Sequence, residues 1–208
     1  MLLLLGLSAA PPAEQVVRAL ESHYNRLQCL KAQFIQIYRS SPQAPPRQEY
    51  GTLYLKKPGK MRWEYTSPEV KLFVSDGRTV YFYVPEDQQA TRMAVKESGD
   101  LRLPLRFLLG RMNLKREFHV ELAGDVAPLD SGNPVLRLTP RRSDDRVREL
   151  LLEADARDRI RRVRITETDG AVTEFRLSAE TPSPPLDDAM FRFRPPPGVE
   201  VVEETGQR

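Results

Sequence analysis

From Ala32 onward, apolar residues recur at every second position through one short segment after another: QFIQIYR, QEYGTLYL, MRWEY, KLFVS, TVYFYV and TRMAV. A period of two places alternate side chains on opposite faces of a strand, so each segment is predicted to be a half-buried β-strand. Turn chemistry separates them. SSPQAPPRQ, residues 40–48, is a loop; Pro58-Gly59 predicts a type II turn; Ser75-Asp76-Gly77-Arg78 predicts a tight hairpin. Strands joined this closely pair antiparallel. The same pattern resumes in REFHVEL, PVLRLTP, VRELLLEA, RIRRVRIT and VTEFRLS, with a second Asp-Gly hairpin at Thr168-Asp169-Gly170, and MFRFRPPPGVEVV supplies a last pair. About eleven strands of this kind make a sheet that must curl on itself. The predicted fold class is mainly β with helices (α+β), an incomplete antiparallel β-barrel covered by an N-terminal helix and a mid-chain helical lid.

Two stretches break the alternation. Residues 14–30, EQVVRALESHYNRLQCL, carry Val16, Val17, Leu20, Tyr24 and Leu27 at helical spacing behind Pro11-Pro12, which predicts one amphipathic helix with His23 beside its apolar stripe. Residues 98–113, SGDLRLPLRFLLGRMN, crowd leucines around Pro104 and end on Gly110, the pattern of a short helix or helical loop laid over a sheet. The start, MLLLLGLSAAPPAE, has the apolar run and small residues of a secretory signal without its positive leader, and is too short to span a bilayer. Residues 1–13 are therefore read as a signal peptide or its remnant, and 14–208 as a single domain.

The chain offers little chemistry. Its single cysteine, Cys29, excludes an internal disulfide and a thiolate metal site, and a buried inert thiol is expected. Two histidines, His23 and His119, do not make a histidine metal centre, and neither a phosphate loop nor a nucleophile elbow is present. The acidic pairs Asp144-Asp145 and Asp187-Asp188 fall in loop-like contexts. No catalytic residue, metal or cofactor is expected. A net charge of +3 is too small for a nucleic-acid surface. RDRIRRVRIT, residues 157–166, reads as a charged outer face or as a docking strip for an acidic partner.

The segment KMRWEYTSP places Met61, Trp63 and Tyr65 on one strand face and Arg62, Glu64 and Thr66 on the other. Met and aromatic side chains suit an irregular interior. Periodicity alone leaves two readings open, a packed core or a cavity for an apolar guest.

Four motifs in order resemble the LolA-type outer-membrane lipoprotein carriers: LKAQFIQ with Leu30, Ala32, Phe34 and Gln36; GTLYLKKPGKMRWEYTSP; LFVSDGRTVYFYVPEDQQAT with Tyr83, Pro85 and Gln89 in a Tyr-x-Pro-x-x-x-Gln spacing; and the closing FRFRPPPGVEVV. The resemblance implies a periplasmic, exported carrier built as an open barrel under a helical cover, which binds the acyl chains of lipoproteins. Leu53, Leu55, Met61, Trp63, Tyr65, Val80 and Phe82 would then line an acyl-chain cavity, and Leu103, Leu105, Phe107 and Leu108 would form the inner face of the lid. Lys57, before the turn proline, would be the latch that holds the lid shut, with a point charge where some members carry the planar fork of arginine. The implied partners are acylated lipoprotein cargo, an inner-membrane ABC transporter that releases it, and an outer-membrane acceptor of the LolB type. Such acceptors are themselves lipoproteins, and the lack of a lipidated cysteine near the start favours the carrier, acting as a monomer. The alternative is a lipoprotein-sensing or lipid-binding regulatory module of the same fold.

Overall fold

The computed structural model describes residues 12–95, 113–142, 146–181 and 186–204. Helix α1 (Ala13–Arg26) leads into a meander of β1 (Cys29–Arg39), β2 (Arg47–Lys56), β3 (Lys60–Ser67), β4 (Lys71–Ser75), β5 (Thr79–Val84) and β6 (Gln89–Ala94). A short helix α2 (Leu114–Glu117) opens a second meander of β7 (Phe118–Leu122), β8 (Val135–Pro140), β9 (Val147–Ala154), β10 (Ile160–Glu167) and β11 (Val172–Thr181). A 3-10 turn (Asp188–Phe191) and β12 (Glu200–Glu203) follow. All twelve strands form one sheet in the order β12-β6-β5-β4-β3-β2-β1-β11-β10-β9-β8-β7. The two meanders are joined by β1 and β11, with Phe34 opposite Leu177 and Gln36 opposite Phe175.

The sheet curls. Trp63 on β3 and Phe175 on β11 lie three strand positions apart, about 14 Å on a flat sheet, yet their ring centroids are 5.1 Å apart. The face on which they meet is the core, contributed by Phe34, Leu53, Met61, Trp63, Phe73, Leu136, Leu150, Val163 and Phe175 among others. Helix α1 covers it with Val16, Val17, Leu20 and Tyr24, residues whose three- and four-residue spacing puts them on one stripe. Among the described residues neither margin pairs with the other, so the incomplete barrel expected from the strand pattern is what forms.

Both Asp-Gly hairpins are present, with Gly77 at φ +95° and Gly170 at φ +93°, and Asp76 accepts from the backbone N–H of Arg78 and Thr79. In the β2–β3 turn the Lys57–Pro58 peptide is cis, and Gly59 has the expected positive φ of +71°. Several local readings are corrected. The N-terminal helix stops at Arg26, and Cys29 already belongs to β1 and is half-exposed rather than buried. REFHVEL is divided: Asn113 caps α2 by accepting from Arg116 N at 3.1 Å, and the strand starts at Phe118.

The closing MFRF is not a strand. It turns through the 3-10 segment because Phe191 is drawn into the fold, and β12 then runs parallel to β6, the one parallel pairing among the described residues. Within RDRIRRVRIT, Arg162 is not on a solvated face. It is buried against Glu153 at 2.9 Å and donates to the Ala127 carbonyl, under the loop between β7 and β8. Glu153 also accepts from Leu129 N and Asn133 Nδ2, which pins that loop to the outer face of the sheet.

Candidate apolar binding face

Leu53, Leu55, Met61, Trp63, Tyr65 and Val80 all point to the same face, each 3% exposed or less, and Phe82 packs against them half-buried. Pairing explains the grouping. Leu53 stands opposite Trp63 and Leu55 opposite Met61 in the β2–β3 register, and Trp63 stands opposite Phe73, which in turn faces Phe82. Phe34 packs edge-on against both Trp63 and Tyr65, with centroids 4.9 Å apart in each case. It fits because its cross-strand neighbour is Gly51. A Cβ at Gly51 would lie 2.7 Å from the Phe34 ring and 2.0 Å from the Glu64 carbonyl oxygen.

Helix α1 is held over this face by polar contacts at both ends. Tyr24 donates its hydroxyl proton to Glu180 at 2.7 Å and accepts from Ile160 N at 2.8 Å, while His23 Nε2 lies 3.0 Å from the other Glu180 oxygen. Burial, followed by the Glu180 carboxylate, pushes the Tyr24 phenol well above its usual pKa, so it remains a donor. Toward the other end, Glu21 accepts from Leu114 N at 2.8 Å, and Glu14 pairs with Lys115.

Lys57 Nζ donates to the Tyr24 carbonyl at 2.6 Å, in the last turn of α1, and Lys57 N donates to the Gln28 carbonyl at 2.9 Å. Burial lowers the pKa of its ammonium. A cation at a helix C-terminus meets the negative end of the macrodipole as well as an unsatisfied carbonyl. Among the described residues, Lys57, the expected latch, is bonded to the end of α1. Leu103, Leu105, Phe107 and Leu108, the expected lid face, lie outside the described residues. The connection that contains them joins β6 to α2 and β7, near opposite margins of the sheet.

The rim of the face is polar. Tyr65 donates to Gln36 Oε1 at 2.6 Å, Gln36 Nε2 donates to Glu49 at 3.3 Å, and Lys71 joins Glu49 to Glu69. Among the described residues, Trp63 Nε1 and Thr173 Oγ1 are buried polar atoms with no hydrogen-bond partner, as are the Nε atoms of Arg92 and Arg162. Sequence reasoning expected α1 to cover the barrel but missed Phe73 and Phe175 as part of the face. The alternation of KLFVS and VTEFRLS carried that signal, but not which strands would meet.

No helix among the described residues is long and apolar enough to cross a membrane. The model of the family described as outer membrane lipoprotein carrier protein LolA matches residues 25–194. An outer-membrane lipoprotein carrier protein of Dechloromonas aromatica is 32% identical over 177 residues, covering 84% of this chain and 81% of that one. One from Haemophilus influenzae is 30% identical over 203 residues, 98% of this chain and 94% of that one. Among solved structures, an uncharacterized conserved protein from Thermus thermophilus superposes with a TM-score of 0.57 at 14% identity, over 92% of this chain and 99% of that one, a likeness of fold alone. With a buried apolar face under a helix and a family match along most of its length, the chain belongs to the LolA family of outer membrane lipoprotein carrier proteins.

Proposed function

We propose that this protein is a periplasmic carrier that takes the acyl chains of lipoproteins released by an inner-membrane ABC transporter and delivers them to an outer-membrane acceptor of the LolB type. The observation that carries this reading is the single apolar face of Leu53, Leu55, Met61, Trp63, Tyr65, Val80 and Phe82, closed by a helix that polar contacts hold in place. Those seven residues are the wall against which acyl chain is buried. Leu103, Leu105, Phe107 and Leu108, which lie outside the described residues, are the proposed lid face.

Burying acyl chain gains about 0.8 kcal/mol per methylene, so a chain with on the order of 14 buried methylenes gains roughly 11 kcal/mol before ordering and opening costs. That holds cargo against water and would also make release slow. The cover moderates it: Val16, Val17, Leu20 and Tyr24 occupy the face when it is empty, and their return favours release. Lys57 sets how strongly the empty state closes, through its bond to the Tyr24 carbonyl.

The test is native mass spectrometry on protein exported by a Gram-negative host and purified without detergent. Intact triacylated lipoprotein bound to the carrier supports the reading. Protein that leaves the periplasm empty, and fails to solubilise lipoprotein from inner-membrane vesicles with the transporter and ATP, overturns it.

A further inference from the structure

The apolar face is not uniformly apolar. Trp63 is 0% exposed and Thr173 1%, and neither Trp63 Nε1 nor Thr173 Oγ1 has a hydrogen-bond partner among the described residues. Other buried polar groups of this face are satisfied: Tyr24 by Glu180 and Ile160, Tyr65 by Gln36. An orphaned buried donor is costly, so a fold that satisfies its other phenols and carboxylates and leaves an indole N–H open calls for an explanation. Thr173 stands two positions along β11 from Phe175, whose ring is 5.1 Å from that of Trp63.

A saturated chain alone would leave both atoms as they are. An acyl chain differs from an alkyl chain by one carbonyl oxygen, an acceptor carried on an otherwise apolar body. Indole N–H is a donor only, which matches a carbonyl and nothing else on such a guest. We infer that Trp63 Nε1 is a specificity-determining donor that receives the carbonyl of a bound acyl ester, so that the site selects acyl chains over alkyl chains of equal length. This rests on the acyl-chain reading above and adds the chemical group by which the guest is distinguished.

Trp63 is the only tryptophan in the chain, so an indole label reports on this one atom. The full-length protein with 15N-indole tryptophan is titrated with 1-palmitoylglycerol and, separately, with 1-O-hexadecylglycerol, lipids that differ only by the ester carbonyl. The ester is expected to bind roughly three- to tenfold more tightly, the worth of one neutral hydrogen bond. It should also move the indole proton downfield, which the ether does not do. Replacing tryptophan biosynthetically by β-(3-benzothienyl)alanine keeps the ring shape and removes the N–H, and it should abolish the preference for the ester over the ether; a preference that survives the replacement overturns the assignment.

Equal affinity for the two lipids with the indole proton unmoved by the ester overturns the donor assignment and leaves the carrier reading standing. Failure of both lipids to bind overturns the two together.

Discussion

At the scale of single residues, the apolar face depends on one missing side chain. Gly51 belongs to a family motif in the sequence, but its reason is visible only across the strand pair, where Phe34 lies over it. Gly51→Ala is expected to destabilise the fold by about 1–3 kcal/mol, because the Glu64 carbonyl is backbone and cannot move aside. A urea titration followed by Trp63 fluorescence measures this, and an unchanged midpoint would show that the sheet relaxes. Lys57 works differently. Lys57→Leu removes the cation from the α1 terminus and weakens the closed, empty state. Cargo uptake should remain, and transfer to an outer-membrane acceptor should slow. A normal transfer rate would remove Lys57 from the mechanism.

At the scale of elements, the period-two segments told strand from helix along most of the chain, because alternation is a local property of a half-buried strand. What they did not reveal was long-range. MFRF alternates as well as any strand, yet it becomes a 3-10 turn because Phe191 finds a buried site and Arg62 Nη1 donates to the Met190 carbonyl from β3. β12 finds its parallel partner in β6, more than a hundred residues earlier in the chain. Arg162 looked solvated until the loop between β7 and β8 folded over it.

The C-terminal segment is strapped down at Asp188, which bridges Lys56 and Lys60 at 2.7 Å each. Hydrogen bonds from Lys56 and then Lys60 lower its pKa to about 2 from the usual 3.8. A carboxyl depressed in the folded state contributes stability that is present above pH 3.8 and lost as pH falls through about 2. Asp188→Asn should therefore unfold at lower urea than the parent at neutral pH, by a small and salt-sensitive margin because the site is half exposed. The gap should shrink from about pH 4 down through about pH 2; a gap as wide at pH 2 as at neutral pH would exclude titration of Asp188 as the cause.

At the scale of the whole molecule, two meanders are sewn together at β1 and β11, and a helix is attached over the seam. The sheet's integrity lies in its ladders, whereas α1 is held by a stripe of four apolar residues and a few polar contacts. The α1 amides should thus exchange with deuterium through a local opening, while those of β1 and β11 wait for global unfolding. Equal protection in α1 and in the central strands would mean the cover moves only when the protein unfolds, and a carrier could not work that way.

The unpaired margins carry one more consequence. β12 and β7 share no backbone ladder among the described residues, so no row of strand hydrogen bonds fixes their separation. Like a cuff left unbuttoned, the sheet can admit a bulkier passenger by letting its free borders drift apart, with every rung between them intact. A fully fastened ring would have to break a row of hydrogen bonds to gain the same girth.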